Sequence, residues 1–210
     1  MRAAPVFLAF ALVACAAKKS GPKSYDESTD GLHEMFSDLS RAVQKGDEKT
    51  ATSLAEALVL PDHAAWFKAT FGEEAGARVD AEYAKNVPGA SRTIPSSLAG
   101  FLKQGRTEFW AEKFTDAGDP KSNTYQDVAL KGMKQRVALY SMRFVEPGKK
   151  KGAHLYNFVY VGGAFRFVGK LLEVNPSPNI DSTAEVRAIA EYRLKEREEF
   201  FKSGKTPSDE

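Results

Sequence analysis

The stretch 155-LYNFVYVGGAFRFVGKL-171 decides the fold, because two β-rich runs flank a Gly-Gly pair. Gly162-Gly163 suits a two-residue primed turn and therefore predicts a tight hairpin. Cross-strand partners share a face of the sheet. We expect one aromatic face that meets helices, formed by the pairs Tyr160–Phe165, Phe158–Phe167 and Tyr156–Gly169. We expect a more exposed second face, formed by Val159–Arg166, Asn157–Val168 and Leu155–Lys170.

Upstream of the hairpin, the apolar residues alternate with a period of two after Gly105. This period is typical of half-buried strands. An antiparallel sheet of four to five strands follows. The candidate strands are Thr107–Phe114, Thr124–Leu130, Val137–Val145, Leu155–Val161 and Ala164–Leu171.

The first half of the domain has helical periods instead. One apolar stripe comprises Leu32, Met35, Phe36, Leu39 and Val43, and it predicts a first helix that ends at Gly46. Asp47 and Asp62 can cap a second and a third helix, and a fourth is expected over 73–85. A short apolar piece follows at 98–102. The order, helices first and then an antiparallel sheet, predicts the α+β class.

Two short patterns resemble the nuclear transport factor-like α+β cone, also called cystatin-like. They are Phe36-x₅-Ala42-x₃-Gly46-Asp47 and the hairpin around Phe158 and Phe165, within about residues 31–172. The resemblance implies helices packed on a curled sheet. It also implies a family that includes ketosteroid isomerase-like enzymes, polyketide cyclase-like enzymes and non-catalytic binding modules. No catalytic Asp–Tyr or Asp–His set of those enzymes maps onto this chain.

The N-terminus carries an Arg2, an apolar run over 3–13 and then Leu12-Val13-Ala14-Cys15. This arrangement resembles a bacterial lipoprotein signal peptide with its lipobox, and the apolar run is too short to cross a bilayer. The resemblance implies cleavage before Cys15 and acylation of that cysteine. Ala16 in the next position favours the periplasmic face of the outer membrane over the inner membrane.

These observations divide the chain into four parts. Residues 1–14 form the expected signal peptide, 15–30 a flexible tether, and 31–174 the globular domain. Residues 175–210 comprise a linker, a charged helix and a frayed tail. The helix is expected to start at a capping box, Ser182 to Glu185, and to run to about Lys202.

Composition excludes several kinds of chemistry. Cys15 is the only cysteine, so neither an intramolecular disulfide nor a cysteine-based metal site can form. The three histidines (His33, His63 and His154) have no metal-binding spacing, and the chain lacks phosphate-binding and G-x-S-x-G motifs. We therefore expect no metal and no cofactor. The formal charge is +2, or +1 without Arg2, which gives no indication of nucleic-acid binding.

Two groups of residues are candidate binding sites. Five aromatic residues could line a pocket for an apolar ligand: Trp66, Trp110, Tyr140, Tyr156 and Tyr160. Arg143, Arg166 and Lys170 could form a basic patch for an anionic partner, although a solvated sheet face would have the same composition. We expect a non-catalytic envelope lipoprotein, held to the membrane by its acyl chains, that displays a binding or scaffolding domain to an envelope partner. The alternative is a carrier or isomerase-like enzyme that uses the interior of the cone.

Overall fold

The computed structural model describes residues 23–86 and 89–175. The lipobox with Cys15 and the expected helix over 183–202 lie outside the described residues. The described part is an α+β fold, with six helices and a four-stranded antiparallel sheet in the order β1-β2-β3-β4. The helices are α1 Thr29–Lys45, α2 Glu48–Glu56, α3 His63–Phe71, α4 Glu73–Asn86, α5 Ala90–Lys103 and α6 Thr124–Gly132. The strands are β1 Glu108–Phe114, β2 Leu139–Val145, β3 Gly152–Val161 and β4 Ala164–Phe167.

The predicted hairpin is confirmed. Phe158 pairs with Phe167 and Tyr160 with Phe165, as the two-residue turn requires. Gly162 and Gly163 have φ angles of 61° and 78°. Side chains with a Cβ disfavour this left-handed region, so the two glycines set the register of the whole hairpin.

The helical half also follows its sequence pattern. Helix α1 ends at Gly46, Asp47 accepts a hydrogen bond from the Thr50 amide, and α4 turns Val79 and Tyr83 inward. Asp62 precedes α3 as predicted, but its side chain makes no capping hydrogen bond. The apolar piece at 98–102 belongs to a longer helix, α5, which contains Pro95.

The predicted strand Thr124–Leu130 is wrong, because these residues form α6. Asn123 caps the helix: its Oδ1 accepts from the amides of Tyr125 and Gln126, and the Gln126 side chain accepts from the Asn123 amide. This capping box satisfies amides that a helix start would otherwise leave unbonded. Ala129 and Leu130 are then fully buried on one side of the helix.

Both faces of the sheet are packed against helices. The first core lies between the sheet and α1, α2 and α5, and includes Phe36, Phe144 and Phe158. The second core lies on the opposite face and includes Phe67, Leu139 and Val159. The expectation that the second face is the more exposed one is therefore wrong around Val159 and Val168, because α6 and its neighbours cover this part of the face.

The chain passes from one face to the other between α2 and α3, beside the edge of β4. Leu58 belongs to the first core and Leu60 to the second. The Phe167 amide donates to the Leu58 carbonyl at 2.7 Å, and the Arg166 guanidinium donates to the carbonyls of Ala57 and Val59. We call these contacts the β4 clasp, since they fix the crossing segment to the sheet edge.

The domain begins inside the expected tether of 15–30. Tyr25 is only 6% exposed and belongs to the first core, and its carbonyl accepts from the Tyr160 hydroxyl at 2.7 Å. Lys23 forms ion pairs with Glu34 and Asp38 of α1. The chain therefore joins the domain on the α1 side of the sheet.

Two glycine substitutions test the hairpin. We expect Gly163→Ala to lower the free energy of unfolding by about 1 kcal/mol, because a Cβ is strained at its φ angle. Gly100→Ala is the matched control, since a Cβ there meets no atom within 4 Å inside α5. It should stabilise the protein by about 0.8 kcal/mol. Urea denaturation measures both, and equal effects of the two changes would contradict the assigned turn.

A second prediction concerns the β4 clasp. Arg166→Met leaves the carbonyls of Ala57 and Val59 without their charged donor, so we expect a loss of about 2–3 kcal/mol of stability. Arg41→Met is the control, because the Arg41 side chain is 63% exposed in a surface ion pair and should cost under about 1 kcal/mol. If both variants unfold at the same urea concentration, the clasp does not hold the crossing segment.

Candidate binding surface on the outer sheet face

The five aromatic residues predicted to line a pocket do not come together. Tyr140 and Tyr160 pack in the first core, and Trp66 packs against Phe67 and Phe71 in the second. Trp110 and Tyr156 lie on the face of the sheet opposite to α1. The structure therefore divides the predicted set among three places.

A bulge in β3 explains the position of Tyr156. Asn157 has a φ of 47°, and the pairing with β2 shifts between Tyr140 and Ser141, which pair with Phe158 and Tyr156. The extra residue turns Tyr156 away from the face that Phe158 occupies. The predicted pair of Tyr156 with Gly169 is consequently wrong, and the Asn157 side chain donates to the Gly169 carbonyl at 2.9 Å instead.

The α1 side of the sheet is filled by side chains. Phe36 contacts Phe144 and Phe158 edge-to-face, with ring centroids 5.7 and 5.5 Å apart, and all three rings are fully buried. Tyr140, expected to line the cone, contacts Phe165 in the same core and has no exposed surface. These rings occupy the space that a ligand of the cone interior would need.

The part of the outer face that the second core leaves uncovered carries two cross-strand rows. Trp110, Arg143 and His154 form one row, and Glu112, Ser141 and Tyr156 form the next. Strand pairing brings these residues together, although they are up to 46 positions apart in sequence. Trp110 is 36% exposed, and few other large apolar side chains of the described residues are exposed.

Arg143 lies at the centre of the two rows. Its Nη2 donates to both carboxylate oxygens of Glu112, at 3.1 and 3.0 Å, and each of the two side chains is 22% exposed. Its guanidinium lies over the Trp110 ring, 5.8 Å from the centroid. Arg143 also donates to the Lys150 carbonyl at 3.4 Å, which connects it to the β2–β3 turn and its exposed lysines, Lys149 to Lys151.

The rows continue into a stack of rings. The rings of His154 and Tyr156 lie nearly parallel with centroids 5.1 Å apart, and Tyr125 of α6 follows at 5.4 Å. The Lys170 ammonium lies 5.4 Å from the Tyr125 centroid. We call this set the outer ladder: Trp110, Arg143, His154, Tyr156, Tyr125 and Lys170.

Burial and the nearby Arg143 charge lower the pKa of His154 to about 4. Burial raises the pKa of Tyr156. Both rings are therefore neutral at physiological pH, and the fixed charges are those of Arg143 and Lys170 in the ladder and of the adjoining Glu112.

The residues of the predicted basic patch separate in the same way. Arg143 and Lys170 belong to the outer ladder, whereas Arg166 is part of the β4 clasp. Sequence reasoning did not identify Glu112, Tyr125 and His154 as site residues. The alternation of β1 places Glu112 beside Trp110 and could have indicated it, but Tyr125 required the correct assignment of α6.

Other titratable residues of the described ranges form smaller groups. The imidazole Nδ1 of His63 contacts the Asp80 carboxylate beside Tyr83. Across residues 23–86 and 89–175, no group of three or more His, Cys, Asp or Glu side chains is arranged to hold a metal ion. In the same ranges, no helix is long and apolar enough to span a bilayer.

Comparison with known proteins finds no matching family model, no matching curated protein and no matching solved structure.

Acid sensitivity tests the surroundings of His154. Because its pKa is lower in the folded protein than in the unfolded chain, the unfolded chain binds more protons between about pH 4 and 6.5. Stability should rise with pH through that window and fall on acidification. We expect His154→Gln to reduce the loss of thermal stability between pH 7 and pH 4.5. His33→Gln, an exposed position on α1, is the control and should leave that loss unchanged. An unchanged loss in His154→Gln would contradict the half-buried, Arg143-facing position.

Proposed function

We propose that this protein is a non-catalytic lipoprotein of the bacterial cell envelope, and that the outer ladder is the binding surface of its domain. The observation that supports this most strongly is the placement of the ladder. The chain enters the domain on the α1 side of the sheet, at Tyr25, and the ladder lies on the other face. In a domain tethered at its N-terminus, the point of attachment then does not cover the ladder.

The anchor in this proposal is an acylated Cys15. Lys23 lies eight positions after Cys15, and eight residue steps span at most about 28 Å when fully extended. Two or more acyl chains give durable attachment, whereas a single chain holds a protein only marginally. Ala16 favours the periplasmic face of the outer membrane.

The chemistry of the ladder supports binding more than catalysis. A general acid or base works best with a pKa near the operating pH, and the pKa of His154 is about 4. One nitrogen of Arg143, Nη2, donates to both carboxylate oxygens of Glu112, so the two charges offset each other. What remains for a partner is an array of stacking surfaces and hydrogen-bonding groups.

The alternative is a carrier or isomerase-like enzyme in the cone-like family. It would need a space on the α1 side of the sheet. The edge-to-face packing of Phe36, Phe144 and Phe158 argues against it. The resemblance to the cone family therefore stays a proposal about the fold and adds no ligand.

Metabolic labelling tests the anchor. Expressed as the full chain in a bacterium that acylates lipoproteins, the protein should incorporate an alkyne-labelled palmitate and fractionate with membranes. Cys15→Ser should abolish the label and release the protein into the soluble fraction, while Ser20→Ala, in the same segment, should change neither. An unlabelled wild-type protein that retains residues 1–14, shown by mass spectrometry, would contradict the proposal.

A further inference from the structure

The outer ladder combines features that suit one class of ligand. Its six members and the adjoining Glu112 include no Ala, Val, Leu or Ile side chain. Protein-binding surfaces use aromatic and arginine anchors too, but their centres are depleted in Lys and Glu. Here Glu112 lies beside Arg143, and Lys170 lies on Tyr125. Flat rings interleaved with polar groups match a ligand that has both apolar faces and many hydroxyls.

We infer that the outer ladder binds an anionic glycan, an inference that rests on the proposed envelope function. The face of an aromatic ring is electron-rich, so it attracts the weakly positive C–H groups on the flat side of a sugar. Trp110 offers such a surface, because one side of its ring lies against Arg143 while 36% of the residue is exposed. Its position on β1, at the edge of the sheet, leaves room for a long polymer to pass.

The positive charges at the two ends of the ladder favour an acidic glycan over a neutral one. Lys149, Lys150 and Lys151 are exposed in the β2–β3 turn, and Arg143 holds the Lys150 carbonyl beside the ladder. Lys170 places a further cation at the opposite end, on Tyr125. Cations at both ends of a stacking surface complement a polymer whose sugars carry carboxylates at intervals.

The centre of the ladder argues against the other polyanions. Glu112 is 22% exposed next to Arg143 and can accept hydrogen bonds from sugar hydroxyls with its remaining lone pairs. The ionised carboxylate can only accept hydrogen bonds, and the phosphates of a nucleic acid or the carboxylates of acidic side chains offer it no donor. A glycan hydroxyl does offer one, so the centre of the ladder favours a glycan over these polyanions.

Co-sedimentation of the detergent-extracted full chain with purified peptidoglycan sacculi, which carry carboxylates on a glycan, tests the inference. We expect the wild type to pellet with sacculi, and Trp110→Ala to bind about tenfold more weakly, as loss of one stacking contact implies. Replacing Lys149, Lys150 and Lys151 together by Gln should weaken binding and flatten its dependence on salt.

Two variants are matched controls. Leu172→Ala removes another exposed large apolar side chain, and Lys45→Gln with Lys49→Gln removes exposed lysines from the helices. Both should bind as the wild type does. Each variant should keep the wild-type melting temperature, so that lost binding cannot be attributed to lost folding.

The remaining measurements distinguish the ligand classes from one another and the glycan inference from the proposed anchor. Chitin, a neutral aminosugar polymer, should bind more weakly than sacculi, and neither polyglutamate nor oligo-dT should displace sacculi. Equal binding to chitin, displacement by either polyanion, or unchanged binding by Trp110→Ala would overturn the inference. The Cys15→Ser variant should no longer fractionate with membranes but should still bind sacculi. If the wild type is not acylated but binds sacculi, only the proposed attachment is overturned. If it is acylated but does not bind sacculi, only the glycan inference is overturned.

Discussion

The contact on which this structure depends is the β4 clasp. The Arg166 guanidinium and the Phe167 amide together hold three consecutive carbonyls, those of Ala57, Leu58 and Val59. The chain crosses the sheet edge within this segment, so that Leu58 packs in the first core and Leu60 packs in the second. Because this segment also occupies the edge of β4, one side of the sheet is closed to further strands, whereas no strand within residues 23–86 and 89–175 pairs with the other edge, at β1.

The clasp thereby determines which part of the sheet surface remains available for binding. Helices on both faces bury most of the sheet, and the uncovered part of the outer face is the place where Trp110, Arg143 and Tyr156 meet. The bulge at Asn157 brings Tyr156 there, since a regular strand would have turned that ring toward α1. The binding surface is thus a product of strand register, and its ion pair between Arg143 and Glu112 is held by neighbouring strands.

The hairpin could be predicted from the sequence because its information is local: a Gly-Gly turn between two alternating runs. Helix α6 was mistaken for a strand because Val128 and Leu130 alternate with smaller residues, while the deciding capping box depends on the Asn123 side chain. Arg166 looked like a surface cation, since nothing in its own strand indicates a partner 107 to 109 positions away. The sequence predicts only part of the ladder, because cross-strand neighbours depend on the strand register, and the bulge at Asn157 changes that register.

Amide hydrogen exchange on the purified full chain shows whether the clasp closes the sheet at β4. We expect the Phe167 amide to exchange as slowly as the buried amides of β2 and β3, because it is bonded to the Leu58 carbonyl. We expect much faster exchange for the outward-facing amides of β1. If the Phe167 amide exchanges as fast as those of the β1 edge, the clasp does not close the sheet.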